Sequence, residues 1–590
     1  MAIEKHYGMI YRQFNTTTMR FLRICKNRCV ASVIAASLLC CSTGCKEEFE
    51  STSPSTLSQT EVFDATPLAL QALNGVYVRL SSGNLYGKKL SYYLSLNSDT
   101  ECISGDTDNG RRAVARYVAT PYNTELKSVW ESLYIAIREA NNFIEGVNGS
   151  KLLSSSNDDR TTILGYKGEA LTIRALLYFE LVRSWGDVPF ILDANSDYTS
   201  KTNRKEILDH ILSDITEAIE WLPATSTTPS RISKDAARSL GARIALYRAG
   251  FHMTDDHKSA PSDRNDYIEM AKNWCKEVID GGHYSLESDY EQIFRKIMSY
   301  KNSDEIIFEI AMSKGNSGEL GYFVGKKHAD GSPYGSSECG VLVPASHFHK
   351  YNHFDVRRDV SLSVTQYDGS GKEKVVSPNN ISIGKFRREW LVPVITGKQK
   401  YSGVDLPVIR YADVLLMYAE CETELEHTAT TEAKEALKTV RNRAFVGAPD
   451  SVLTVVMDKY LANIRDYDDM TKAIRDERAF EFTAEMIRKY DLKRWGVLQQ
   501  TLDSCKSDLH KILVSEAPFN DIPDKLVWYV DDDNEHVKIA TTDNYRFDPT
   551  FDFTRTVKTT KWKTAITEDF INRICEAIDD TPYDLPVPEE

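Results

Sequence analysis

The sequence lacks several features, and each absence removes a class of protein. It contains no Cys-x-x-Cys pair, and Cys102, Cys275, Cys339, Cys421, Cys505 and Cys575 lie scattered, so neither a zinc site nor a disulfide framework is signalled. A chain of 590 residues needs no such staples. After residue 45 no apolar run approaches the roughly eighteen residues that a membrane-spanning helix requires. Basic charge is also short. The 72 Lys and Arg face 86 Asp and Glu, a net charge of -14, which excludes nucleic acid or an anionic lipid surface as the main partner. No Gly-x-Ser-x-Gly, His-Glu-x-x-His or glycine-rich phosphate loop is present, so the common hydrolase and nucleotide signatures are missing. What remains is 42% hydrophobic and 10% aromatic, the composition of a folded chain.

The cysteines that do cluster lie at the start. Cys25, Cys29, Cys40, Cys41 and Cys45 share a stretch with a basic leader (Lys5, Arg12, Arg20, Arg23, Lys26, Arg28) and an apolar run from Cys29 to Cys41. Ser42-Thr43-Gly44-Cys45 then places small residues before a cysteine, as in a bacterial lipoprotein signal whose cysteine is lipidated and becomes the new N-terminus. Residues 1–45 therefore read as a signal peptide and 46–60, rich in Ser and Thr, as a solvated tether. With the signal removed, 66 basic residues face 85 acidic ones, a net charge of -19.

From residue 61 onward two kinds of chain alternate. Helical periodicity runs over 125–147, 166–185, 207–222, 234–247, 408–425 and 474–498. Segment 166–185 is apolar nearly all round, which predicts burial on most sides. Segments 81–122, 312–406 and 505–560 are irregular and rich in Gly, Ser, Asn, Asp and Tyr. Loops of that length are functional more often than connecting. The helices suggest a stack of tetratricopeptide-like pairs, without a clean repeat of the roughly 34 residues such units have.

Six segments carry a resemblance. Gly168-Glu169-Ala170, Arg174-Ala175-Leu176-Leu177-Tyr178-Phe179 and Ser184-Trp185-Gly186-Asp187-Val188-Pro189 resemble the signature of the SusD/RagB family. Trp130, Tyr134, Ile137 and Ala140-Asn141 fit the preceding helix of that family, and 231–247 the following one. Pro407 to Glu420 with 440–444, then Glu477-Arg478 with Phe480, Glu481, Arg488, Asp491, Arg494 and Trp495, and finally Leu585-Pro586-Val587-Pro588, complete the order. Cys421 stands where the family usually has Ala. The resemblance implies a mostly α, SusD-like fold: one domain over 61–590, with a helical scaffold mainly in 125–300 and 407–500. A large irregular lobe with few short strands, mainly 81–122 and 312–406, would bind ligand. It further implies a non-catalytic lipoprotein on the outer face of the outer membrane, anchored through Cys45. There it would capture oligosaccharides, or in some branches peptides, and pass them to a SusC-like TonB-dependent transporter without an obligatory cofactor.

Sugars are recognised by aromatic faces together with polar side chains on the rim hydroxyls. The lobe segments offer Tyr92, Asn97, Asp99, Tyr117 and Tyr122 in the first, and Tyr322, Phe323, Tyr334 and Trp390 in the second. Charged residues in the helical motifs (Arg174, Arg410, Asp413, Glu420, Glu477, Arg478, Glu481) read as structural ion pairs, because buried charge is tolerated when paired. His347, His349 and His353 have a zinc-like spacing if extended, but no carboxylate or cysteine ligand accompanies them, and they read as polar loop residues. Asp106 to Gly110 starts like a calcium loop, but its register fails, and Asp531 to Glu535 is an acidic turn at which calcium could lodge adventitiously.

Overall fold

The computed structural model describes residues 59–590 apart from 106, 156–157, 194–198, 255–258, 533–535, 540, 543–545, 548–555, 575–583 and 590. The signal peptide, Cys45, most of the tether, Asp106 and Asp533 to Glu535 lie outside the described residues.

The longer helices are α1 (Thr66–Leu80), α2 (Thr124–Asn148), α3 (Asp158–Trp185), α4 (Arg204–Trp221), α5 (Lys234–Arg248) and α6 (Arg264–Gly281). They are followed by α7 (Tyr290–Met298), α8 (Tyr411–Glu426), α9 (Thr431–Ala444), α10 (Tyr467–Glu481), α11 (Arg488–Arg494) and α12 (Leu498–Val514). Their ends are set locally. Asn123, Asn203, Ser233 and Thr430 accept from the first free amides of α2, α4, α5 and α9. Pro223 forces Leu222 into an extended conformation, and α4 stops before it. Packing is sequential: α2 on α3, α3 on α4, α4 on α5, α5 on α6, then α6 on α8 and α8 on α9. This is the expected scaffold of stacked helix pairs. Every residue of α3 from Gly168 to Trp185 is buried, as its all-round apolar pattern requires.

The strands are short: β1 (Cys102–Ile103), β2 (Ile306–Ile310), β3 (Val341–Leu342), β4 (Leu362–Ser363), β5 (Thr365–Tyr367), β6 (Glu373–Val375), β7 (Ser382–Ile383) and β8 (Leu406–Arg410). In the lobe, β1, β3, β7 and β4 form one sheet in that order, so segments 81–122 and 312–406 are joined by backbone hydrogen bonds. Near the C-terminus β9 (Lys525–Val530) lies between β10 (Val537–Ile539) and β11 (Lys558–Lys561).

Two helical expectations are modified. Residues 408–410, read as the start of a helix, belong to β8, which pairs antiparallel with β2; β-branched Val408 and Ile409 favour that pairing, and α8 begins only at Tyr411. The continuous helix expected over 474–498 breaks into α10, a turn and α11. Ala484 and Met486 adopt positive φ in the turn (62° each). The turn directs Glu485 back into the core, where its carboxylate accepts from Arg410 Nε at 2.7 Å and Arg410 Nη2 at 2.8 Å.

That contact belongs to a buried lattice of charge. Arg410 also donates to Glu481 Oε1 (3.0 Å) and to Glu305, while Arg443 donates to Glu481 (2.6 Å) and to Glu305. Arg357 holds Asp355, Glu477 and Glu481, Arg441 reaches Glu477 at 2.8 Å, and Lys385 reaches Glu485 at 2.5 Å. Five cations thus face five carboxylates with almost no solvent. Burial pushes the Glu481 carboxyl upward, but the guanidinium groups of Arg443, Arg410 and Arg357 outweigh it and hold it well below its ordinary range. Burial lowers Lys385 to about 8. Satellite pairs extend the pattern along the scaffold. Arg174 forks onto Asp214 at 2.8 Å, joining α3 to α4, and Arg478 joins Asp413 and Asp491 at 2.7 Å each. The motif charges are therefore structural, and the family-like helices are held together through them.

Candidate ligand-binding groove

An open groove of about 520 Å³ lies between the lobe and the C-terminal sheet. One wall is built from the helix Ala345–Lys350, the short helix Arg357–Ser361 and β4 to β6, and presents Arg358, Asp359, Thr365 and Glu373 around a buried Phe348, with Arg387 beside them. The opposite wall is β9 and β10, presenting Tyr529, Val537 and Lys538. Tyr529 and Lys538 are cross-strand neighbours on that sheet.

A carboxylate makes the first of two ties between the walls. Glu373 accepts from Val537 N at 3.0 Å, from Thr365 Oγ1 at 3.1 Å and from Lys326 Nζ. Burial raises its carboxyl, but Lys326 and these donors bring it below its ordinary value, so it stays ionised. Lys326 in turn lies over the Tyr367 ring (4.3 Å), which stacks on His328 (4.9 Å) and meets Tyr334 (5.1 Å). His328 Nε2 donates to Glu389 at 3.0 Å; burial disfavours its cation and keeps the imidazole neutral. Trp562, fully buried just beyond β11, donates from Nε1 to His349 Nε2 (3.1 Å) and so fastens the C-terminal sheet to the helix that carries Phe348. Polar rims, the half-buried Tyr529 ring and rigid backing are ingredients of a carbohydrate site.

The nominated residues divide sharply. Tyr92 and Phe323 are core; their rings meet at 6.0 Å, with Lys88 and Arg111 each 5.0 Å from the centre of Phe323. Asn97 is fully buried, donating to Ile574 O and accepting from Ile103 N, and Tyr117 donates to Asn97 O at 2.6 Å. Asp99 forks onto Arg488 at 2.8 Å, which outweighs burial and lowers it to about 2. Trp390 is buried between Arg295 (4.6 Å) and Arg387 (4.9 Å). Tyr322 and Tyr334 are half-buried, and only Tyr122, 71% exposed, is open. These loops pin themselves with their own aromatics. Nothing local in the sequence marks Arg358, Arg387, Tyr529 and Lys538 as groove residues, since arginines occur throughout the chain and β9 and β10 lie in a segment whose composition is that of irregular chain.

The three histidines separate. They lie on or beside a short helix, where positions two apart face different directions. His347 contacts Thr483 Oγ1 at 2.9 Å, His349 accepts from Trp562, and His353 lies against Phe354. Burial lowers His347 and His349 to about 3, so both are neutral; His347 is a core group and His349 is half-buried on the helix, and neither is a polar loop residue. Of the two calcium-like segments, Asp108 pairs with Arg116 and Asp531 with Lys538 at 2.9 Å.

Beside Asp99, Glu101 has a different fate. Burial is its largest influence and raises its carboxyl to about 7, although Thr100 Oγ1 and Ala484 N donate to it. The fold therefore binds a proton that the unfolded chain releases between pH ~4.5 and ~7, and stability falls as pH rises through that window. Burial raises Glu309 to about 7 as well, so Glu101→Gln is expected to reduce the decline without abolishing it and to stabilise the protein above pH 7 by on the order of 2 kcal/mol. Urea midpoints at pH 5 and pH 8 check this; an unchanged pH dependence would contradict it.

A family model described as the SusD family matches residues 357–590, and another, described as starch-binding associating with outer membrane, matches residues 50–246. SusD-like protein P2 of Formosa agariphila is 27% identical over 490 residues, which is 78% of this chain and 89% of that protein. Among solved structures, a SusD homologue from Bacteroides thetaiotaomicron aligns with TM-score 0.69 at 24% identity, covering 76% of this chain and 90% of the other. Surface glycan-binding protein A from the same organism, in complex with laminarihexaose, aligns with TM-score 0.57 at 18% identity, covering 73% and 91%. With the stacked helix pairs, the buried motif charges and the loop lobe in place, these matches over both halves of the sequence lead to one assignment: the chain belongs to the SusD family.

Proposed function

We propose that this protein is a non-catalytic, cell-surface glycan receptor that holds oligosaccharides in the groove between the lobe and the C-terminal sheet. The observation that carries the reading is the shared fold with surface glycan-binding proteins, one of them holding laminarihexaose. The groove supports it chemically, since half-buried Tyr529 offers apolar ring surface beside the polar side chains of Asp359, Thr365 and Lys538. A receptor role also suits the motif carboxylates, which are engaged in buried ion pairs. Binding then proceeds by stacking and hydrogen bonding, without a cofactor.

The protein would be tethered to the outer face of the outer membrane through lipidated Cys45 and would deliver its ligand to a SusC-like TonB-dependent transporter. The lipoprotein pattern before Cys45 and the description of the family matching residues 50–246 support that placement. In cells fed a labelled fatty acid, the protein is expected to carry label and Cys45→Ala to carry none; equal labelling would contradict the anchor.

Calorimetry against glycan and peptide panels tests the binding itself. At least one oligosaccharide should bind, and Tyr529→Ala should weaken it tenfold or more, because loss of a stacking ring removes about 1–3 kcal/mol. Binding of peptides alone would overturn the glycan reading.

A further inference from the structure

The charges of the groove are unevenly satisfied. Asp359 receives Arg358 as a fork, at 2.9 and 3.0 Å. Lys538 is paired with Asp531, and Glu373 with Lys326. Arg387 differs. Its Nε donates to Gly384 O at 2.9 Å and its Nη2 to Asp359 O at 2.7 Å, both backbone carbonyls, and its guanidinium lies on the Trp390 ring. Glu389 lies within its electrostatic reach but accepts from His328. Among the described residues no carboxylate forms an ion pair with Arg387, so it keeps a full positive charge at the groove wall.

Its position is fixed. Two carbonyls and an indole hold the planar group, and Arg295 backs the indole from another direction. A guanidinium held in place gives up little conformational freedom when an anion arrives, and its fork matches a planar carboxylate or a tetrahedral oxyanion. The field also favours an incoming anion, because the acidic groups of the groove are already neutralised by their own partners. Two backbone acceptors leave donors of Arg387 available, since the group has five.

From this we infer that Arg387 forms an anion subsite in the groove, and that the preferred glycan carries an acidic substituent, a uronate carboxylate or a sulfate ester. The inference rests on the glycan-receptor reading and narrows it to a substrate class. Tyr529 would take a sugar face while the acidic group meets Arg387. Arg358, already committed to Asp359, adds longer-range attraction.

The test is calorimetry of the protein with hexasaccharides in matched sets. Each neutral backbone is compared with the same backbone oxidised at C6 to uronate and with the same backbone sulfated at C6. One acidic form should bind at least tenfold tighter than its neutral parent, and that advantage should shrink as salt rises from about 50 to about 500 mM. The stronger acidic arm tells uronate from sulfate. Arg387→Gln should weaken the acidic form at least tenfold more than the neutral parent, and Arg387→Lys should restore part of the difference. Circular dichroism of both variants confirms that the fold is kept. Equal affinities for neutral and acidic forms, or a preference untouched by Arg387→Gln, would overturn the inference and leave the receptor reading standing. Failure of every saccharide would overturn both.

Discussion

Arg410→Ala is expected to lower stability by at least about 3–5 kcal/mol, the loss seen when one partner of a buried ion pair is removed. The site explains why the effect falls at the upper end. Arg410 bonds Glu305, Glu481 and Glu485 at once, and all three are buried. Deleting the guanidinium leaves Lys385, Arg443 and Arg357, the last already shared with Asp355 and Glu477, to neutralise three carboxylates, and at least one must then take up a proton or draw in water. Since domains are stable by only about 5–15 kcal/mol, much of the margin would disappear. The comparison is Arg79→Ala, which breaks the exposed pair with Glu139 and should shift stability by well under 1 kcal/mol. Urea denaturation of the two variants beside the parent gives the answer. Similar midpoints for both would mean that the lattice is not what holds α8, α10 and the 482–487 turn together.

Trp562→Ala is expected to remove about 3–5 kcal/mol locally and with it glycan binding. Trp562 is fully buried, its backbone N–H donates to Asp524 O at 2.8 Å, and its ring meets Phe348 at 6.2 Å. It secures β11 and β9, and β9 carries Tyr529. Without it the sheet loses its attachment to the helix Ala345–Lys350, and the groove loses a wall. Trp562→Phe should retain most of the packing but lose the hydrogen bond to His349, at about 1 kcal/mol, and keep measurable binding. Amide hydrogen exchange over β9 locates the loosening, and calorimetry reads the affinity. Unaltered binding in Trp562→Ala would show that the C-terminal wall takes no part in holding ligand.

The scaffold was legible in the sequence because its signals are local. Asn123 and Ser233 cap helices where periodicity begins, Pro223 ends one, and the all-round apolar pattern of α3 gave away its burial. The charged motif residues could also be read, since Arg174 or Glu481 among apolar neighbours needs a partner wherever it ends up. Neither the partner nor the turn at 482–487 could be read: Ala484 and Met486 carry no preference for positive φ, and only the demand for Glu485 at Arg410 explains them. The lobe was legible as a lobe but not residue by residue. An aromatic in a long loop looks the same whether it faces solvent, like Tyr122, or is buried against a neighbouring segment, like Phe323. The groove depends on pairing between residues far apart in sequence, Glu373 with Val537 and His349 with Trp562, and no local pattern announces such pairs.

The most direct measurement is a crystal structure of the protein with an oligosaccharide that binds in solution. The account predicts a sugar ring against Tyr529 and hydroxyls or acidic groups within hydrogen-bonding distance of Asp359, Arg387 or Lys538. An oligosaccharide seated elsewhere, with this groove empty, would contradict it.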